Sequence, residues 1–122
     1  MITGINLLET ENYISKYDSV EPKTVWKIGA IDSEQMPIVM MEETKALITM
    51  TMAVRFGLRG FENFKDSKGN DVVYATEQKV FMGRLCTVLA DSVLKIMPAM
   101  LIIELGQQIL KIGQLSEGEA KN

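Results

Sequence analysis

The residues best suited to acid–base chemistry are two pairs of carboxylates, Glu42 with Glu43 and Glu117 with Glu119. A catalytic pair must hold its two carboxyl groups close enough to exchange a proton. Glu42 and Glu43 fall within a predicted helix, where adjacent side chains point in different directions. The other pair lies in a polar C-terminal segment. Both pairs are therefore interpreted as solvated surface charge rather than as a catalytic site.

Two further segments have features of known binding motifs. Asp66, Lys68 and Asn70 resemble the start of a calcium loop, but lysine at the third position and glycine at the fourth break the required pattern. The GLRG sequence at 57–60 has the glycine spacing of the RNA-binding loop of KH domains. That spacing is common, and a net charge of −3 opposes binding to phosphates. We expect neither a metal site nor a nucleic-acid site.

The sequence contains no histidine and a single cysteine, Cys86. The lack of histidine removes the usual general base near neutral pH, histidine-based triads and nearly all ordinary zinc sites. Cys86 has no histidine to activate its thiol, so it is expected to be a small buried residue. No Gly-rich phosphate loop or dinucleotide fingerprint is present. The sequence predicts no catalytic residues, no cofactor and no enzymatic activity.

Methionine is the residue type that most suggests binding, with nine copies in the chain. Its unbranched, polarizable side chain can repack against different partners. Two interpretations are open: loose filling of the core, or an adaptable surface for a partner. The second interpretation assigns partner binding to Met40, Met41, Met50, Met52, Met97 and Met100.

The composition is typical of one soluble domain. A chain of 122 residues, 47% hydrophobic and 24% charged, is long enough to bury a core. One cysteine permits no internal disulfide, so a reducing cytoplasm is the expected compartment. The first residues lack a basic segment before an apolar run, which predicts no secretory signal. Charged residues and Pro98 interrupt the apolar stretch 93–112, which argues against a membrane span.

Local patterns predict the elements of the first half of the chain. β-branched and aromatic residues at 24–31 predict a strand. Apolar residues at helical spacing predict one helix over 37–56, and Gly57 is a plausible C-terminal stop.

The middle of the chain is expected to form a structural corner. Phe61 and Phe64 should pack where the chain turns, before a polar loop at 66–70. Residues 71–76 are a strand candidate, whereas 80–89 are compatible with a strand or a helix.

The end of the chain has clearer helix signals. A short helix is predicted over 91–96, and Pro98 should begin a longer one, because the residue before a proline disfavours helical dihedrals. Gly113 should end that helix. Its apolar seam consists of Ile102, Leu105, Ile109 and Ile112.

Together these patterns predict an α+β fold: a helix-dominant, small single domain with a short β-sheet or hairpin. Residues 1–22 are predicted to be an N-terminal arm, 23–114 the α+β domain and 115–122 an exposed C-terminal tail. The arm either folds back on the domain or docks on a neighbouring subunit.

Three segments together resemble small structural and assembly proteins of tailed bacteriophages. They are TVWKIGAID at 24–32, VRFGLRGFENFKDSKGN at 54–70 and VLADSVLKIMPAMLIIELGQQILKIGQLSEGEAKN at 88–122. The resemblance covers more than half of the chain, and its motifs are architectural rather than catalytic. Within this group, the chain is similar to tail assembly chaperones.

The resemblance implies a non-enzymatic protein that binds the tape measure or tail-tube components during assembly. The implied partners are phage tail or other virion proteins and further copies of the chain in a homo-oligomer, without nucleic acid or membrane. The implied location is the host cytoplasm or the virion. One alternative is a permanent virion component, such as a connector, neck or minor capsid protein. Another is a small anti-defence inhibitor, although a charge of −3 spread over the chain provides little of the acidic face that it would need.

Overall fold

The computed structural model describes residues 1–113, and the predicted tail at 115–122 lies outside them. The described chain contains five strands: β1 (Thr10–Tyr13), β2 (Val25–Gly29), β3 (Leu58–Glu62), β4 (Thr76–Phe81) and β5 (Arg84–Leu89). It contains four helices: α1 (Met36–Val39), α2 (Ala46–Gly57), α3 (Asp91–Leu94) and α4 (Ala99–Ile112).

The prediction of a helix-dominant domain is wrong, because the described residues form a mixed α+β arrangement with 30% helix and 25% strand. One cause is the segment 37–56, which forms α1 and α2 separated by turns rather than one helix. The carbonyl of Glu42 accepts hydrogen bonds from the Lys45 amide at 2.8 Å and the Thr49 hydroxyl at 3.1 Å. These bonds close a turn in place of the continuous helical ladder. The other cause is 76–89, which forms two strands.

The larger sheet has three antiparallel strands in the order β1-β2-β3. The strand predicted at 24–31 is confirmed as β2, whose side chains Trp26 and Ile28 are buried in the core. β1 comes from the segment predicted to be an arm, and it pairs with β2 from Thr10 opposite Gly29 to Tyr13 opposite Trp26. This part of residues 1–22 therefore lies against its own domain.

The helices α2 and α4 pack closely against each other. A Cβ atom on Gly106 would lie 2.8 Å from the Met50 Cβ and 2.9 Å from its Cα. Gly106 therefore allows the two backbones to approach at this point. The predicted limits of α4 are confirmed, since it follows Pro98 and ends before Gly113. Three residues of its predicted seam are buried and the fourth is half-buried: Ile102, Leu105, Ile109 and, half-buried, Ile112.

The predicted corner is an aromatic cluster around Trp26. The ring centroid of Phe61 lies 5.6 Å from that of Trp26 and 5.7 Å from that of Tyr74, in edge-on geometry. Phe64 lies 5.0 Å from Trp26, so both phenylalanines pack as expected. In the following loop, the Asp66 carboxylate accepts hydrogen bonds from backbone N–H groups of the loop itself. These bonds stabilise the turn.

The last two strands form a separate antiparallel hairpin. Its two-residue turn consists of Met82 and Gly83 with φ values of 50° and 76°, the positive values of a type I′ turn. One face packs on α2, where Phe81 lies 5.9 Å from Phe56 between ring centroids. Cys86 is buried on that face, as expected. The strand candidate at 71–76 is wrong in position, since the strand begins at Thr76.

Candidate interaction surface

Exposed apolar side chains gather where α1 leads into α2. Met40, Met41, Leu47 and Ile48 are all exposed, and Met41 is 57% exposed. We call these four residues the α1–α2 surface. Single exposed apolar residues are ordinary on soluble proteins, but several within nine residues are typical of a contact surface.

The α1–α2 surface begins in the turns at 40–45 and continues into the first turn of α2. The buried residues of α2 lie mainly in its second half, which includes Ala53, Val54 and Phe56. The carbonyl of Leu47 accepts a hydrogen bond from the Thr51 hydroxyl at 2.7 Å, and Thr49 bonds back to Glu42. Local hydrogen bonds therefore hold the first turn of α2, in which Thr49 is buried while Leu47 and Ile48 are exposed.

The six methionines predicted to bind a partner do not form one surface. Met97 is 5% exposed and belongs to the core, while Met50 and Met52 are half-buried and pack against the core. Met40 and Met41 belong to the α1–α2 surface. Partner binding by these residues stays a prediction, and the exposed positions are the ones that a partner can reach without rearrangement.

Met100 is exposed at a different place, in the first turn of α4. It borders an apolar groove together with Tyr17, Pro98 and Leu101. This groove lies beside the aromatic corner, since Trp26 and Phe64 also line it. The predicted methionines thus divide between the core, the α1–α2 surface and this groove.

The hairpin carries apolar residues that sequence reasoning did not select. Val80 and Leu85 lie opposite each other on the solvent side of β4 and β5, and Met82 lies at the turn. All three are exposed. The sequence TEQKVF offers little signal for this surface, because its polar and apolar residues do not alternate, whereas burial alternates along the strand.

Glu104 is a buried carboxylate with a structural role. Glu104 is 6% exposed and accepts hydrogen bonds from the Ser15 hydroxyl at 2.5 Å, the Tyr13 hydroxyl at 2.6 Å and the Lys16 amide at 2.9 Å. Burial alone would raise the pKa of Glu104, but these three donors outweigh it and hold the pKa below its usual value. Burial and the bond to Glu104 raise the pKa of Tyr13 to about 12. Through these hydrogen bonds, the ionised Glu104 carboxylate holds residues 13–16 against α4.

A second carboxylate, Asp91, joins the hairpin to α2. It accepts a hydrogen bond from Lys79 Nζ at 2.7 Å and another from Arg55 Nη1 at 2.8 Å. The bond from Lys79, followed by that from Arg55, lowers the pKa of Asp91 to about 2. Its backbone N–H donates to Glu77 at 3.1 Å. At neutral pH, Asp91 is therefore ionised and paired with two cations. It has a structural role and cannot donate a proton.

Within residues 1–113, no three acidic or cysteine side chains gather to hold a metal ion. Glu42 and Glu43 remain separate, since Glu42 pairs with Lys45 at 3.5 Å, and Glu117 and Glu119 lie outside the described residues. The longest helix of the described part, α4, has 14 residues, and no helix there could cross a bilayer.

Comparison with known proteins gives no relative for this chain: no family model, curated protein or solved structure matches it.

Proposed function

We propose that this protein is a non-enzymatic assembly protein of a tailed bacteriophage that binds a tail component through the α1–α2 surface. The observation that carries the proposal is the concentration of exposed apolar side chains at Met40, Met41, Leu47 and Ile48. The phage setting rests on the resemblance of three segments, at 24–32, 54–70 and 88–122, to small phage assembly proteins.

The physical properties of this surface suit transient binding. Moving methionine and leucine side chains out of water lowers the free energy of the complex by about 25 cal/mol per Å² of apolar area buried. Flexible methionines adapt to partners that change during assembly. The neighbouring Glu43 and Lys45 are exposed and keep the uncomplexed surface hydrated. The expected contact is an apolar helical segment of the tape measure or of a tail-tube subunit.

Co-expression with the tape-measure and tail-tube proteins of the same phage, followed by pull-down, tests the proposal. We expect a complex with the wild-type chain and none with the double variant Met41→Gln, Leu47→Gln. Val73→Gln is the matched control, because Val73 is 79% exposed but lies outside the α1–α2 surface. Met100→Gln tests whether the groove at the start of α4 takes part. Failure of the wild-type chain to bind any tail protein would overturn the proposal.

Mass spectrometry of purified particles separates this proposal from a permanent virion component. An assembly chaperone should be absent from mature particles. A connector, neck or minor capsid subunit would be present in stoichiometric copies.

A further inference from the structure

The outer edge of β4 is a strand edge without a partner in residues 1–113. In a two-residue hairpin, the residues that flank the turn form a hydrogen-bonded pair and the pattern then alternates. Phe81 and Arg84 are that first pair. The backbone groups of Thr76, Gln78 and Val80 therefore point away from β5, and in the described chain they bond to no other element. All three residues are exposed.

The charges of β4 are complementary to those of a second, antiparallel β4. In the pairing considered, the two Gln78 residues face each other across a two-fold axis. Glu77 of each copy then lies opposite Lys79 of the other copy. A shift of two residues in either direction places Glu77 opposite Glu77 or Lys79 opposite Lys79. Opposite charges in facing positions stabilise a strand pair and like charges destabilise it. The sequence thus favours one register.

We propose that β4 binds β4 of a second copy of this chain in that register, joining two hairpins into one four-stranded antiparallel sheet. The three outward-facing residues of each strand would form about six backbone hydrogen bonds across the axis. Such a contact is isologous, as is usual for a two-fold dimer. The inference is independent of the tail partner proposed above, because it requires only the purified chain.

The groups around the β4 edge are compatible with this pairing. Lys79 and Glu77 each keep about a third of their side-chain surface exposed, while Lys79 bonds to Asp91 at 2.7 Å and lies 3.6 Å from Glu77. Near β4, each copy has two positive side chains, Lys79 and Arg55, and two negative ones, Glu77 and Asp91. Two copies therefore bring no net charge to the axis. On the opposite face, Val80 would lie beside Thr76 of the second copy, which reduces its exposure to water.

A charge-reversal experiment tests the register. Glu77→Lys gives an edge with two positive charges, and Lys79→Glu gives an edge with two negative charges. By analytical ultracentrifugation, the wild-type chain is expected to sediment as a dimer. At the same concentration, each variant alone should be a monomer and the equimolar mixture a heterodimer. A wild-type chain that stays monomeric up to millimolar concentration would overturn the proposal. So would variants that dimerise alone, or folded variants whose mixture does not associate.

Amide hydrogen exchange on the wild-type chain provides a test that does not depend on any variant folding. The Gln78 and Val80 amides should exchange more slowly as protein concentration rises. The Leu85 and Thr87 amides are the matched controls, because they face outward from β5 on the other edge of the hairpin. Slowing at Thr87 with none at Gln78, or no dependence on concentration at Gln78, would contradict the proposed pairing.

Discussion

The two ends of α2 differ in how they meet the rest of the molecule. The second half of the helix buries Val54, Phe56 and Gly57, whereas Leu47 and Ile48 in the first turn face solvent. The first turn is preceded by hydrogen-bonded turns rather than by a continuing helix. One helix can therefore pack into the core at one end and expose apolar residues to solvent at the other. Stability and partner binding should therefore respond to different substitutions.

The largest expected effect is at the buried end. Phe56→Ala removes a ring that is 6% exposed and packs against Phe81. We expect it to lower the free energy of unfolding by about 3–5 kcal/mol, the usual cost of a large cavity. Urea denaturation followed by circular dichroism measures this. Leu47→Ala in the same helix is the control and should change stability by less than about 0.5 kcal/mol. Equal losses for the two variants would contradict the difference in packing between the two ends of α2.

Gly106→Ala should be the next most damaging change. The added Cβ would meet the Met50 Cβ at 2.8 Å and its backbone at 2.9 Å, so α2 and α4 must move apart. Overpacking of this kind costs about 1–3 kcal/mol. Gly4→Ala is the matched control, since a Cβ there meets nothing within 4 Å. A melting temperature unchanged by Gly106→Ala would show that the two helices are not tightly packed at this point.

Glu104→Gln should weaken the attachment of residues 13–16 to α4. A carboxylate that accepts three hydrogen bonds becomes an amide whose NH₂ group faces hydrogen-bond donors. We expect a loss of about 1–2 kcal/mol in the free energy of unfolding. Amide exchange at Lys16 should become faster, because its N–H loses a charged acceptor. Unchanged exchange at Lys16 would contradict this role for Glu104.

Acid should produce the smallest change, through Asp91 and Glu104. The folded chain lowers the pKa of both carboxyl groups below its usual value. As pH falls, the unfolded chain therefore binds more protons than the folded chain. The stabilisation from Asp91 is present above its ordinary pKa of 3.8 and is lost as pH falls toward about 2. Unfolding measured across this range should show stability rising with pH, and less steeply in Asp91→Asn. An identical slope in both proteins would exclude a contribution from Asp91.

Some elements were predictable because their signals are local. The β-branched residues of β2 and the proline and glycine that bound α4 act on neighbouring residues. The hairpin was harder, because Met82 occupies a positive-φ turn position where Asn, Asp or Gly is the usual signal. Residues 80–89 therefore remained compatible with a helix.

Other features depend on contacts between distant parts of the chain. β1 has the polar sequence TENY, and only pairing with β2 makes it a strand. The role of Glu104 depends on Tyr13 and Ser15, about ninety residues earlier in the chain. The break between α1 and α2 occurs in MMEETK, whose residues are good helix formers apart from Thr44. For the same reason, residue type alone could not separate the exposed Met41 from the buried Met97.

The central claim is that the α1–α2 surface binds a tail component while the rest of the domain maintains the fold. The most direct test measures the free energy of unfolding and the tail-protein pull-down on the same double variant, Met41→Gln, Leu47→Gln. The predicted result is stability within about 0.5 kcal/mol of the wild-type chain, together with loss of the complex that Val73→Gln still forms. A double variant that keeps the complex would contradict the claim, as would one that loses the complex only by unfolding.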